Sequence, residues 1–472
     1  MLKKHNIRKI SFLLIFSCIV SIFSFNMNIK AGTESKNDKR ACWISFLDMQ
    51  VYLLDLSEED FTQKVSEMYD TIIEYGMNTV IVHARAMGDA MYPSEYFPMS
   101  IYIDSDRNIS YDPMAIMVEL AHEKKLYFEA WINPYRLSKN NATTENYKVT
   151  EFYEQYKDIT IEYEDAAGET CLSLDPAKDG TNQLICNQVK EIIQNYDVDG
   201  IHFDDYFYMP NMVEGLDDAT KKSYVNSMVK QVYDTVKSID STVTFGISPA
   251  GNTTSARSQG ADIDTWLSVP GYVDYIMPQI YWSDSYMMEG VLTTLYSDRC
   301  NEWINLNTLD IPIYSGLALY RVGEESETDL GWSQADDNLK KQYEIGYNMG
   351  YDGYALFRYE WLEMEKASLE LSSLYSYSCS LPDGGVYVDE NIDDVDATEE
   401  DASTENENTD ACETVEETLS YADNVMSDSF MILHLTDDKT DYWNIMSYNA
   451  YCKMISYNIY EDIFLQKTLA FP

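Results

Sequence analysis

The sequence predicts an α/β chain folded as a (β/α)8 TIM barrel, followed by an acidic, disordered C-terminal segment. Three observations predict it. Between residues 40 and 378, short apolar runs rich in β-branched and aromatic side chains alternate with stretches of helical periodicity. Several of those runs lead straight into carboxylates, amides and aromatics, and parallel barrels keep their chemistry at the carboxyl ends of strands. Beyond residue 382, Asp, Glu, Thr and Asn take over and large apolar side chains become scarce. A doubly wound open sheet is the competing architecture, but no G-x-G-x-x-G turn follows the first strand to support it.

Taken in order, residues 1–31 read as an export signal. Lys3, Lys4, Arg8 and Lys9 form a basic start, residues 10–25 are almost wholly apolar, and Ala31 is a small residue at a cleavage position. An uncleaved N-terminal anchor is the alternative; either places the barrel outside the cytoplasm, secreted or in the cell envelope. Residues 41–46 (A-C-W-I-S-F) are the first strand. Ser57 is an N-cap with Asp60 three residues on, and Phe61, Val65, Met68 and Ile72 follow at helical spacing. Residues 77–84 form the second strand, Asp112-Pro113 opens a helix, and residues 126–132 form the third strand. Residues 133–176 are a polar insertion expected to roof one side of the mouth. A helix over 182–196 leads into the fourth strand, 198–203. A long helix over 217–239 precedes the fifth, 243–247. Residues 273–277, 312–319 and 352–357 complete the eight, with helices over 335–349 and 361–374 among the connections.

Two segments follow the barrel. Residues 383–428 are an acidic linker, too poor in apolar side chains to offset the entropy of ordering. Residues 429–472 regain apolar and Tyr content without periodicity, as a tail or small module of unassigned function.

Composition excludes some partners. The chain has 472 residues, 45% of them hydrophobic, and a formal net charge of −47. That charge argues against nucleic acid, whose phosphates demand Lys and Arg, and against an anionic membrane surface. Much of the excess lies in the late acidic segment. The eight Cys are scattered without zinc spacing. Cys42 falls in a core strand, and a Cys171–Cys186 bridge stays open. No cofactor is expected. His83 and His202 lie on separate strands, too weak a pattern to predict a metal.

The richest stretch is Y-D-V-D-G-I-H-F-D-D-Y-F-Y-M-P, from Tyr196 to Pro210. Strand neighbours face opposite ways, so Asp204, in step with Gly200 and His202, should enter the mouth while Asp205 faces away. Carboxylates at the end of a buried strand are costly unless used or paired. Acid–base chemistry uses paired carboxyl groups, and the strand ends offer Asp89, Glu129, Asp204, Asp205 and Glu360. Asp204 is the expected catalytic carboxylate with Asp205 perturbing it, and Glu129 or Glu360 is the second carboxyl. The fifth strand ends in Ser-Pro-Ala-Gly and offers none. His83, Arg85, Asp89, Asn133, Tyr135, Arg136, His202, Asn252, Gln279 and Tyr281 can hydrogen-bond sugar groups, and Trp131, Tyr206 and Trp282 can stack on pyranose faces.

These strand ends together resemble the glycosyl-hydrolase-like family 10 of bacteria. The residues that carry the resemblance are R-A-C-W-I-S-F from Arg40, G-D-A-M-Y-P-S from Gly88, A-W-I-N-P-Y-R from Ala130 and V-D-G-I-H-F-D-D-Y-F-Y from Val198. I-S-P-A-G-N from Ile247 and D-Y-I-M-P-Q-I-Y-W from Asp274 complete the set. The resemblance spans residues 40 to about 375 and implies a (β/α)8 glycosidase acting on cell-wall (peptidoglycan) glycan or another bacterial polysaccharide. Two function classes fit: a glycosidase in which Asp204 is essential, and a degenerate, non-catalytic barrel that holds glycan.

Overall fold

The computed structural model describes residues 38–333 and 336–381; the expected signal, acidic linker and C-terminal module lie outside them. Eight parallel strands form one sheet: β1 (Lys39–Ile44), β2 (Thr79–Arg85), β3 (Tyr127–Ile132), β6 (Gly200–Phe203), β7 (Thr244–Ile247), β8 (Tyr275–Ile276), β11 (Ser315–Leu317) and β12 (Gly353–Leu356). Two antiparallel hairpins, β4–β5 (Thr160–Glu164, Thr170–Leu174) and β9–β10 (Tyr286–Met288, Val291–Thr293), lie in the connections.

The sheet closes on itself. Its two ends are β8 and β11, and parallel bridges join them at Ile276–Ile313 and Gln279–Gly316. Tyr314 N–H donates to Ile276 O at 3.0 Å, and Gly316 N–H to Pro278 O at 2.9 Å. The expected barrel is therefore the observed one, and the open doubly wound sheet is excluded.

Local sequence explains the strand starts. A short polar residue precedes several strands at the amino-terminal end of the barrel and accepts a backbone N–H from its neighbour. Asn78 takes Arg40 N–H (3.0 Å), Asp199 takes Phe128 N–H (2.7 Å), Asp274 takes Phe245 N–H (2.7 Å) and Asp352 takes Ile313 N–H (3.1 Å). Each latch satisfies a donor that the ladder leaves open and holds the strand in register.

The helices follow their caps. Ser57 Oγ accepts Asp60 N–H and starts the helix Glu58–Glu74, and Asp217 starts Asp218–Ile239. Ser45, at the end of the expected first strand, instead caps a short helix, Phe46–Tyr52, in a reciprocal box with Asp48. The expected last helix is two 3-10 turns followed by Ser368–Ser380, and the helix expected from residue 335 runs Asn338–Met349. The insertion after β3 forms two helices, Asn141–Lys148 and Glu151–Tyr156, and the β4–β5 hairpin. Cys171 and Cys186 are free thiols, so no bridge forms between them.

Two cores result. One fills the space between strands and helices. The other fills the barrel interior with Ala41, Trp43, Ile81, Trp131, Tyr275, Met277, Tyr314 and Ala355. Glycines make room for the large interior side chains. A Cβ on Gly246 would stand 2.0 Å from the Tyr275 ring, and one on Gly200 would stand 3.0 Å from Glu129 Cγ. Gly246→Ala should therefore destabilise the barrel by about 3 kcal/mol, the upper range for overpacking, read from thermal or denaturant unfolding. An unchanged midpoint would mean that the Tyr275 ring is free to move aside.

Candidate functional site at the barrel mouth

The site is built on the interior column. At its floor Lys39 and Glu129 form an ion pair, and Lys39 Nζ lies 3.9 Å from the Tyr275 ring centroid. Tyr275 hydroxyl donates to Glu129 Oε2 (2.6 Å) and meets His202 Nδ1 (2.7 Å), while Trp43 Nε1–H donates to His202 Nε2 (3.4 Å). Tyr275 has one proton and gives it to Glu129, so His202 must carry its proton on Nδ1 and accept at Nε2. Burial first, then the Lys39 charge, hold the His202 pKa well below its ordinary value, which agrees with a neutral ring.

Glu129 is thus a floor residue. It pairs with Gly200 in register, four residues before Asp204, which places it about 13 Å lower along the strand at 3.3 Å per residue. The structure does not bring it together with Asp204. His202 lies one layer below the mouth with both ring nitrogens engaged.

Asp204 follows β6 directly and is 2% exposed. Its Oδ2 accepts Trp131 Nε1–H (3.2 Å) and its Oδ1 accepts Tyr206 N–H (3.3 Å). Burial, then the Asp205 charge, push its pKa well above the carboxylate range; those two bonds and the Arg136 charge oppose them only in part. The group is disposed to hold a proton. Asp205 is half-buried. Tyr281 joins them: burial raises its hydroxyl pKa first, then the neighbouring Tyr320, Asp205, Tyr206 and Asp204.

The rest of the mouth offers further polar atoms. His83 stacks on Trp131 with centroids 3.3 Å apart. Its Nδ1 accepts Phe46 N–H (3.1 Å), so the proton of the neutral ring sits on Nε2. Burial leads the causes that hold its pKa well down. His83 Nε2–H faces the Asn133 side chain, whose hydrogen bond works against the lowering of the His83 pKa, and Ser248 Oγ is buried without a hydrogen-bond partner. Arg136 lies over the Tyr206 ring at 4.2 Å. Gln279 bridges strand ends by donating to Ser248 O (2.8 Å).

Other expected sugar contacts take different places. Arg85 is fully buried and donates to Gln188 Oε1 and to the carbonyls of Met87, Pro134 and Arg136. It clamps the loops after β2 and β3, and burial holds its pKa down to about 10. Tyr135 and Trp282 pack into the outer core. Asn252 caps the helix Thr253–Ser258. Asp89 lies in a separate small cleft with Met87, Tyr102, Arg107 and Tyr147. Glu360 stands past β12, four strands from β6 in the closed order and so on the opposite wall. It pairs with Arg358 at 2.5 Å, and Arg358 also holds Asp48 at 2.6 Å.

Sequence reasoning missed Lys139, Tyr320 and Phe357. Lys139 lies over the Phe46 ring at 4.6 Å, and Tyr281 packs against Tyr320 and Phe357. Lys139 sits in an insertion without periodicity, so no signal marked it. Among the described residues no three His, Cys, Asp or Glu side chains converge as a metal site requires.

Comparison with known proteins fits this geometry. The family profile described as glycosyl hydrolase-like 10 matches residues 38–226 and 220–334. The chain belongs to the glycosyl hydrolase-like 10 family. It is 28% identical over 368 residues to glycosyl hydrolase YngK of Bacillus subtilis, covering 69% of each chain. It is 29% identical over 356 residues to glycosyl hydrolase DigH of Escherichia coli K12, covering 66% of this chain and 79% of that one. The solved catalytic domain of β-amylase from Paenibacillus polymyxa aligns over 72% of this chain and 98% of its own, at 10% identity and a TM-score of 0.47.

The raised Asp204 pKa has a thermodynamic consequence. The native state keeps a proton that the unfolded chain loses near pH 4, so wild-type stability falls as pH rises from there to the raised native pKa. Asp204→Asn lacks this term. Its stability relative to wild type should grow with pH across that window, by up to about 1.4 kcal/mol per pH unit, in paired denaturant titrations. Parallel pH profiles would show that Asp204 ionises normally.

Proposed function

We propose that this chain is an exported glycoside hydrolase that cuts bacterial cell-wall glycan, or a related polysaccharide, with Asp204 as the proton donor. One observation carries the reading. Asp204, 2% exposed, stands at the mouth of a barrel directly beside a second carboxyl, Asp205, and both burial and that neighbour raise its pKa. Such a group can protonate a glycosidic oxygen at a pH where ordinary carboxylates are ionised. Trp131 and Tyr206 N–H fix its orientation, and burial first, then Asp205, keep its pKa raised.

The second carboxyl is assigned to Glu360. It stands on the wall opposite Asp204, ion-paired with Arg358, where a negative charge can face the positive charge that develops on the sugar ring. Ser248 Oγ supplies a sugar hydrogen bond, and Tyr206 and Tyr281 supply ring faces. Export rests on the basic start and apolar run of residues 1–31.

The test is turnover on purified wall glycan strands. Asp204→Asn should lose about a hundredfold to ten-thousandfold in kcat, the range for general acid catalysis, while still binding glycan. Wild-type kcat should fall as pH rises through the raised Asp204 pKa. Near wild-type turnover in Asp204→Asn would refute the assignment, and a wild type that binds glycan without cutting it would make this a glycan-holding barrel.

Glu360→Gln gives an independent check on the pairing. It should lower kcat about a hundredfold or more with little change in glycan affinity. A loss confined to KM would make Glu360 a binding residue.

A further inference from the structure

Asp48 lies on the helix Phe46–Tyr52 that leaves β1, and Glu360 lies just past β12, the strand paired with β1. The two carboxylates therefore meet at adjacent strand ends. Asp48 is 0% exposed and Glu360 7%.

Four donors converge on Asp48. Its Oδ2 accepts Ser45 N–H and the Ser45 hydroxyl, each at 2.7 Å. Its Oδ1 accepts Arg358 Nη1–H at 2.6 Å and Glu360 N–H at 2.9 Å. The Ser45 bonds belong to the helix cap. The other two do nothing for the helix. They reach 310 residues along the chain, to the backbone of Glu360 and to the guanidinium that pairs with its side chain.

Arg358 has one charge for two carboxylates. Its Nη1 faces Asp48, and its Nη2 faces Glu360 Oε2 at 2.5 Å. Burial opposes the Arg358 charge, but Asp48 first, then Glu360, more than offset it and raise the pKa. Asp48 thus draws on the guanidinium more than Glu360 does. An Arg358–Glu360 pair alone would be neutral, and a neutral pair gives a developing cation little. With Asp48 present the three groups sum to one negative charge, and Glu360 is the carboxylate that keeps some exposure.

We propose that Asp48 is a positioning residue for Glu360: it fixes the Glu360 backbone and shares Arg358, so that Glu360 presents a net negative charge to the sugar ring. The inference rests on the assignment of Glu360 above and names the group that makes that carboxylate usable. Asp48 is fully buried and acts only through Arg358 and the Glu360 N–H. Asp48→Asn keeps the shape but lets the whole Arg358 charge fall on Glu360.

The experiment is a double-mutant cycle in the full chain, with kcat and KM measured on purified wall glycan strands. Asp48→Asn should lower kcat about tenfold to a hundredfold, the cost of misplacing a reacting group, with KM near wild type. In the Glu360→Gln background the same substitution should change kcat by no more than about twofold, because the group it acts through is gone. Asp48→Glu restores the charge and should recover most of the lost kcat. Asn78→Ala opens a strand latch at the opposite end of the barrel. It should lower the thermal midpoint and leave kcat near wild type, which separates lost stability from lost positioning. Should Asp48→Asn not fold, Asp48→Ser, smaller and equally uncharged, takes its place in the cycle. Equal kcat losses in both backgrounds, or a loss carried by KM, would overturn the inference and leave the Glu360 assignment standing. Unchanged kcat in Glu360→Gln would remove that assignment and the inference with it, and a wild type that cuts nothing would refute the hydrolase reading as a whole.

Discussion

A closed eight-stranded barrel needs an interior that is filled, and here the filling determines almost everything above it. Tyr275, Trp43 and Trp131 occupy the column; Gly246 makes room for the Tyr275 ring and Gly200 for the Glu129 side chain. Large rings bring polar edges with them, and each buried edge must find a partner. The Lys39–Glu129 ion pair, the Tyr275 hydroxyl and the His202 ring satisfy one another in a chain that ends on Trp43. With those edges engaged below, Trp131 is left to point its N–H upward at Asp204. The orientation of the candidate acid is therefore set from beneath.

The loops that surround Asp204 are positioned by a second buried charge. Arg85 donates to three carbonyls from two loops, Met87 after β2 and Pro134 and Arg136 after β3. That clamp carries Asn133 and Arg136 to the mouth. On the far wall, Asp48 takes both Arg358 and the N–H of Glu360, tying the end of β12 to the helix after β1. An acid set on rigid strand ends, with an ion-paired carboxylate opposite, is an arrangement that loops alone would hold poorly.

The barrel was legible because its strands are β-branched and aromatic runs that alternate with helical periodicity. The phase of Asp204 with Gly200 and His202 was legible for the same reason, since strand side chains alternate. Depth was not legible. Alternation gives the face of Glu129 but not its layer, which depends on pairing opposite Gly200. Tyr135 and Trp282 lie just past strand ends, where the loop path decides between mouth and outer core. Asn252 looks like a sugar ligand in the motif, yet a short helix begins at the next residue and claims its side chain. Lys139 lies in an aperiodic insertion, and only the fold brings it over Phe46.

The central claim is that burial and Asp205 let Asp204 keep its proton at a pH where an unperturbed carboxylate is ionised. Infrared difference spectroscopy of wild type against Asp204→Asn tests it most directly, through the carboxyl stretch. The account predicts that, above the ordinary carboxylate range of about pH 4, a protonated-carboxyl band is present in wild type and absent from Asp204→Asn. A difference spectrum showing only the loss of an ionised carboxylate would contradict it.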